Sequence, residues 1–144
     1  MCSWGGNLAK RLEDFGYNVV STDLYDRGYG FSGVDFLEQT ESFSGDIITN
    51  PPYKFATEFV LKALELTNRK VAMFLKIQFL ESQKRWDKLF SKYPPSVVYV
   101  FVKRIKCYKN DVRDNKSSAV CYAWFIWDKE NNEETKIRWI SDEN

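Results

Sequence analysis

Short apolar runs alternate with amphipathic segments along this chain, and this alternation limits the possible folds more than any other feature. Val71 to Leu75 is a continuous apolar run of the kind found in strands buried on both faces. Gly45 to Thr49 and Val97 to Val102 predict two further strands. Phe55 to Leu66 carries its apolar side chains at the spacing of an amphipathic helix. Strands and helices in this order predict an α/β fold with a mostly parallel sheet.

Weaker signals predict the remaining elements. Leu8 to Phe15 has the apolar spacing of a helix, and Gln83 to Lys92 is predicted to be another helix. Tyr17 to Ser21 reads as a strand. Ala119 to Trp127 and Lys136 to Ile140 predict a terminal hairpin joined by a polar segment. Such a hairpin would give the sheet an antiparallel C-terminal edge.

The bulk properties predict one small domain that spans residues 1–144. A chain of 144 residues is long enough to bury a core. Its net charge of +1 argues neither for nor against a nucleic-acid partner. No apolar run reaches the ~18 residues that a membrane span needs, so no membrane partner is expected.

The cysteines and the lack of histidine indicate the cellular compartment and exclude some catalytic mechanisms. Cys2, Cys107 and Cys121 lie far apart and are odd in number, which favours reduced thiols in a cytoplasmic protein. The start, Met1 to Trp4, lacks the pattern of a signal peptide. The chain has no histidine, which excludes histidine-based nucleophilic triads and histidine-ligated zinc, and no metal is expected.

One tetrapeptide carries most of the functional signal. Asn50, Pro51, Pro52 and Tyr53 directly follow the predicted strand that ends at Thr49, and ligands of open α/β sheets bind at that edge. The Asn50 side-chain carbonyl and the Pro51 backbone carbonyl can both accept hydrogen bonds from one planar amino group. Two consecutive prolines stiffen this acceptor arm, and Tyr53 offers a flat face for stacking. The simpler alternative is a proline turn after a strand.

The run Asp46 to Tyr53, Asp-Ile-Ile-Thr-Asn-Pro-Pro-Tyr, resembles the catalytic motif of class I S-adenosylmethionine-dependent amino-methyltransferases. It is most similar to that of short, phage-type N6-adenine DNA methyltransferases. The resemblance implies a Rossmann-like methyltransferase fold and transfer of a methyl group to N6 of adenine in DNA. It also implies catalytic roles for the tetrapeptide, in which Asn50 and Pro51 hold the target amino group and Tyr53 stacks on a flipped base.

The same resemblance implies a cofactor site for S-adenosylmethionine. Gly5 and Gly6 precede the first helix, as in the family's glycine loop, and Asp23 follows the next predicted strand as its ribose carboxylate does. The resemblance assigns adenine contacts to Asp35 and Phe36, and it places the cofactor near Asn50 as well. The residues themselves leave simpler alternatives open, which are a strand-end cap for Asp23 and a surface carboxylate beside a core ring for the other pair.

The chain departs from the family at its N-terminal end. Trp4 stands where the family usually has the first glycine of its loop. In the family a central strand precedes that loop, whereas this sequence starts inside the loop. The resemblance therefore predicts an N-terminally truncated member whose sheet lacks the usual first strand. A homo-oligomer or strand exchange would be one way to replace that strand.

A basic segment between the last predicted strands is the candidate nucleic-acid surface. Cations with an interleaved aromatic residue suit phosphate contact and stacking. The resemblance implies DNA as the partner in preference to RNA. The alternative is an ordinary solvated loop. The four cations assigned to nucleic-acid binding are Lys103, Arg104, Lys106 and Lys109.

Two other functions are compatible with the sequence. The first is a methyltransferase remnant that binds nucleic acid or a protein partner without transferring a methyl group, which the missing strand favours. The second is an amino-methyltransferase that acts on an RNA base or on a protein glutamine, because similar tetrapeptides serve those substrates.

Overall fold

The computed structural model describes residues 6–103, 105, 120–131 and 133–141. Its three helices are α1 (Asn7–Asp14), α2 (Ala56–Leu66) and α3 (Gln83–Arg85), and α3 continues directly into a π-helical turn over Trp86–Phe90. Its five strands are β1 (Ile47–Thr49), β2 (Lys70–Lys76), β3 (Val97–Phe101), β4 (Tyr122–Asp128) and β5 (Lys136–Ile140). Short 3-10 turns cover Phe36–Glu38, Tyr53–Phe55 and Ile77–Leu80.

The strands form an open, mixed sheet in the order β1-β2-β4-β3-β5. β1 and β2 are parallel, β3 and β4 are antiparallel, and β3 and β5 are parallel. The predicted α/β class is therefore confirmed, as are the predicted helices around α1 and α2 and the strands β1, β2 and β3.

The predicted terminal hairpin is wrong. β3 lies between β4 and β5, so the antiparallel strand is inside the sheet and the edge strand β5 runs parallel to its neighbour. The start of β3 explains this arrangement, because Ser96 donates its N–H to the Ile126 carbonyl and accepts a hydrogen bond from the Lys136 N–H. Residues 129–135 form a connection long enough to pass β3, whereas tight hairpins are closed by loops of two to about five residues.

The predicted strand over Tyr17 to Ser21 is also wrong. In this region only Thr22 forms a β-bridge, an isolated parallel one with Phe31. Tyr17 and Val20 leave 65% and 55% of their surface exposed. Strand propensity depends on packing against neighbouring strands, and no described strand lies beside residues 17–20.

The chain divides into two compact units, Met1–Met73 and Phe74–Asn144. In the first unit, α2 buries Ala56, Val60, Ala63 and Leu64. Val60 lies four residues after Ala56 and three and four residues before Ala63 and Leu64, so the four side chains share one helix face. In the second unit, Phe125 is fully buried and Phe79 packs edge-on against its ring, with the ring centroids 5.7 Å apart.

Candidate functional site

The tetrapeptide lies at the C-terminal end of β1, as predicted. Asn50 follows the last residue of the strand, and Tyr53 begins a 3-10 turn that leads into α2. The Phe55 N–H donates to the Pro52 carbonyl at 2.9 Å, which holds the turn closed. Pro51 is buried, Asn50 is half-buried and Tyr53 is 41% exposed. A strand and a helix therefore fix both ends of a short arm whose tyrosine is partly exposed.

The Asn50 amide keeps its hydrogen-bonding capacity available. No described residue forms a hydrogen bond with its side chain. A half-buried amide with no protein partner can accept a hydrogen bond from a ligand without first breaking one. This property is what an amino-group acceptor requires.

Both carboxylate oxygens of Asp23 are engaged within its own loop. Oδ1 accepts from the Tyr25 N–H at 3.0 Å, and Oδ2 accepts from Arg27 Nε at 3.1 Å. The Asp23 side chain is only 16% exposed and the Arg27 side chain 35%. Arg27 thus covers the carboxylate that the sequence assigned to a ribose.

Asp35 and Phe36 lie at the start of a 3-10 turn. Asp35 Oδ1 accepts from the Leu37 N–H at 2.9 Å, and its other carboxylate oxygen accepts no hydrogen bond from the described part of the chain. The Phe36 ring stacks on Phe59 of α2, with the ring centroids 5.1 Å apart and the rings inclined by 19°. Both residues are half-buried, so this turn presents a partly covered ring beside a carboxylate.

Gly6 is the N-cap residue of α1 and has a left-handed backbone, at φ 76° and ψ 11°. A Cβ atom at this position would lie 2.4 Å from Tyr29 Cγ, so the tyrosine ring covers the face of the glycine. The Tyr29 hydroxyl donates to Glu13 at 2.7 Å, and this hydrogen bond raises the pKa of the phenol. Gly5 lies outside the described residues.

A cavity of about 350 Å³ brings these segments together. Its lining includes Thr22, Val34 and Thr49, each of which directly precedes a predicted site residue: Asp23, Asp35 and Asn50 respectively. The Val34 N–H donates to the Asp23 carbonyl at 3.1 Å, which joins two of the segments. Of the predicted site residues, Phe36 itself lines the cavity.

Thr49 is a site residue that the sequence did not predict. It is 2% exposed, lines the cavity, and its hydroxyl has no hydrogen-bond partner among the described residues. An unpaired buried hydroxyl costs roughly 1–3 kcal/mol, which makes it a candidate contact for a ligand. In the sequence, a threonine at a strand end carries no signal that sets it apart.

Asp46 directly precedes β1 and forms an ion pair with Arg69. Its Oδ1 accepts from Arg69 Nε at 3.0 Å and from the Lys70 N–H at 3.2 Å. Partial burial alone would raise the pKa of Asp46, but these hydrogen bonds outweigh it and lower that pKa below its usual value. The contacts tie the start of β1 to the start of β2, so their role is structural.

The predicted nucleic-acid surface is described at one position. Lys103 lies just beyond β3 and is exposed. Arg104, Lys106 and Lys109 lie outside the described residues. The assignment of these cations to nucleic-acid binding stays a prediction.

Comparison with protein-family models and with curated proteins finds no match to this chain. Within the described ranges, no helix has the length and apolarity needed to span a membrane. The same ranges contain no group of three or more His, Cys, Asp or Glu side chains placed to hold a metal ion.

Proposed function

We propose that this protein transfers a methyl group from S-adenosylmethionine to an exocyclic amino group, with N6 of adenine in DNA as the acceptor. The observation that carries the proposal is the position of Asn50. Its amide has no hydrogen-bond partner among the described residues and lies at the C-terminal end of a parallel strand. That edge is where open α/β sheets bind their ligands.

The stiff backbone of the tetrapeptide suits it to bind the amino group that accepts the methyl group. The Asn50 Oδ1 and the Pro51 carbonyl can each accept a hydrogen bond from one amino group, which orients its lone pair away from the arm. These hydrogen bonds strengthen as the nitrogen loses planarity and gains positive charge, so they favour the transition state over the ground state. The exposed Tyr53 ring supplies a stacking surface for a base.

The residues fit S-adenosylmethionine in part. Phe36 and Val34 line a cavity that suits an adenine ring, and the second Asp35 oxygen is available to an amino group. Asp23 would bind ribose hydroxyls only after Arg27 moves. A partly exposed ion pair of this kind is worth about 0.2–1 kcal/mol, and moving Arg27 would also break its contact with the Tyr25 ring. Bound S-adenosylmethionine would supply an electrophilic methyl group, and the chain would supply binding and orientation.

DNA as the acceptor is supported by the basic segment that begins at Lys103. The exposure of Lys103 suits contact with phosphate, and the exposure of Tyr53 suits contact with an extruded base. An RNA base or a protein glutamine presents a similar amino group, and the assay below separates these substrates.

A second candidate function is a binding module that evolved from such an enzyme. Two contacts favour it, because Arg27 covers Asp23 and the Tyr29 ring covers Gly6. Both contacts lie on the surface that the resemblance assigns to the cofactor. If both contacts persist, the chain keeps the tetrapeptide but has no working cofactor site.

The deciding experiment measures methyl transfer from radiolabelled S-adenosylmethionine to unmethylated DNA, RNA and a glutamine-containing protein. We expect label in DNA, and digestion to nucleosides should yield N6-methyladenine. Label only in RNA or protein would reassign the substrate. Calorimetric titration with S-adenosylmethionine runs in parallel, and absence of both binding and transfer would favour the binding module.

A further inference from the structure

The 3-10 turn that ends the tetrapeptide exposes each of its three side chains. Tyr53 is 41% exposed and Phe55 is 43% exposed, and Lys54 between them is exposed as well. The hydrogen bond from the Phe55 N–H to the Pro52 carbonyl fixes the turn, and the buried Ala56 follows as the first residue of α2. Two aromatic side chains and one cation are therefore held at the end of the proposed substrate-binding segment.

Lys54 and Phe55 form a cation–aromatic pair that has no acidic partner. The Lys54 ammonium lies 5.4 Å from the centroid of the Phe55 ring, and no described residue forms an ion pair with it. Three other such pairs lie in the described part of the first unit, and in each a carboxylate contacts the cation or the ring hydroxyl. These pairs are Arg11–Phe15, Arg27–Tyr25 and Lys10–Tyr29, and their carboxylates are Asp14, Asp23 and Glu13 respectively.

An aromatic ring beside an unneutralised cation has the chemistry that binds one nucleotide. The ring stacks on a base of any identity, and the cation contacts a phosphate. Tyr53 is assigned to the target base, so Phe55, two residues later, is placed for a neighbouring base. In a duplex, successive bases stack about 3.4 Å apart, which leaves no room for a ring between them. A second stacking ring therefore fits a single strand, whose bases can separate, better than it fits a duplex.

We propose that the substrate of this protein is single-stranded DNA, and that Phe55 and Lys54 bind the nucleotide next to the target adenine. The Phe55 ring stacks on that base, and the Lys54 ammonium contacts its phosphate. This inference rests on the proposed function, because Asn50 and Tyr53 place the target adenine beside the turn. Glu58, exposed in the first turn of α2, is the nearest carboxylate in sequence and would weaken the phosphate contact without contacting the base.

The test measures the binding of fluorescently labelled DNA to the full chain, with no cofactor added. The first probe is a single strand that contains one adenine, and the second is its duplex. The third is the same single strand in which the nucleotides on both sides of the adenine lack their bases, so that it keeps the phosphates and loses the stacking partner. The wild type should bind the first probe at least about fivefold more tightly than either of the others.

Phe55→Leu removes the aromatic face but keeps an apolar side chain. This variant should bind the intact single strand at least about fivefold more weakly than the wild type does. It should bind the strand with missing bases as well as the wild type does, since the stacking partner is absent there. Phe15→Leu is the matched control, because Phe15 is also exposed and also has a cation over its ring, and its binding should equal that of the wild type.

Lys54→Gln tests the phosphate contact. On the single strand, the log–log slope of the binding constant against salt should become smaller in magnitude by about 0.7. Lys54→Arg keeps the charge and should keep the slope. Arg11→Gln removes the cation of the control pair and should leave the slope unchanged.

Three results would overturn this inference even if the protein methylates DNA. These are no binding of the single strand, equal binding of the single strand and the duplex, and binding that Phe55→Leu leaves unchanged. A Phe55→Leu variant that binds the intact strand and the strand with missing bases equally less well than the wild type would also count against it, because the loss would then not depend on a base. Binding that depends on Phe55 in a protein that transfers no methyl group would refute the proposed function alone, and the turn would remain a contact for single-stranded DNA.

Discussion

Arg27 donates a hydrogen bond from Nε to the Asp23 carboxylate, 3.1 Å away, and so occupies the acidic side chain that the proposed cofactor needs. The pair is partly exposed and four residues apart in one loop, and such ion pairs are worth about 0.2–1 kcal/mol. Arg27 therefore acts as a weak competitor for Asp23.

Replacement of the two partners should change cofactor affinity in opposite directions. Asp23→Ala removes the ribose acceptor and should weaken S-adenosylmethionine binding roughly 10- to 100-fold. Arg27→Ala uncovers that acceptor and should strengthen binding up to about fivefold. Calorimetric titration measures both effects. Arg11→Ala removes a different exposed ion pair, with Asp14, and should leave affinity unchanged. Weaker binding in Arg27→Ala would show that the arginine contacts the cofactor itself.

Alanine substitutions at Gly6 and Gly28 can be compared to measure the effect of the contact between Gly6 and Tyr29. Both have left-handed backbones, with φ of 76° and 73°, so Ala at either position incurs a conformational cost of about 1–2 kcal/mol. Only at Gly6 would the new Cβ atom meet the Tyr29 ring. Gly6→Ala should therefore destabilise the fold by about 1–3 kcal/mol more than Gly28→Ala. Urea unfolding measures the difference, and equal losses would show that the ring moves aside at no cost.

The hydrogen bonds to Asp46 predict a pH dependence of stability. Its pKa is lower in the folded chain than its usual value of 3.8, so ionisation of Asp46 favours folding. This contribution is complete above that value and is lost as the pH falls through the lower, folded pKa. With the side chain 40% exposed, it should stay below about 1 kcal/mol.

Asp46→Asn should therefore lower the free energy of unfolding at pH 7, and its difference from the wild type should shrink towards pH 2. The matched control is Asp14→Asn, which alters an exposed ion pair of 3.9 Å and should change stability by less than about 0.5 kcal/mol. A difference between Asp46→Asn and the wild type that does not depend on pH would mean that packing, not charge, sets the effect.

The sequence predicted correctly those helices and strands that depend on residues close together in the chain. The spacing of Val60, Ala63 and Leu64 marks the buried face of α2 whatever the chain packs against. The hairpin prediction failed because the choice between β3 and β4 as the neighbour of β5 depends on contacts such as those of Ser96, which are distant in sequence. Tyr17 to Ser21 has strand composition, but a ladder needs a partner that composition cannot reveal.

Some features of the candidate site could likewise be predicted from the sequence, and others could not. The position of Asn50 after β1 could be predicted, because the end of a short apolar strand follows from the sequence. The engagement of Asp23 by Arg27 and the cover of Gly6 by Tyr29 depend on side-chain rotamers and on loop closure. The unpaired Thr49 hydroxyl appears only once the fold has buried it.

The basic segment predicts a salt-dependent affinity for DNA. If its four cations contact phosphates, the log–log slope of the binding constant against salt should be about −3 to −4. Replacement of all four by Gln should flatten the slope and leave S-adenosylmethionine affinity unchanged. The four cations are Lys103, Arg104, Lys106 and Lys109. The charge-matched control replaces four other lysines: Lys10, Lys84, Lys88 and Lys92. Equal slopes for the two variants would place the DNA surface elsewhere.

Asn50→Ala tests the centre of the proposed function. The substitution removes a hydrogen-bond acceptor that should strengthen as the target nitrogen gains charge, so methyl transfer should fall by about 100-fold or more. Stability should change little, because no described residue bonds to the Asn50 side chain. Affinity for S-adenosylmethionine should fall far less than turnover. Asn68→Ala is the control, at an exposed asparagine in the turn before β2. Turnover near the wild-type rate in Asn50→Ala would show that Asn50 has no role in catalysis, even if the protein binds both cofactor and DNA.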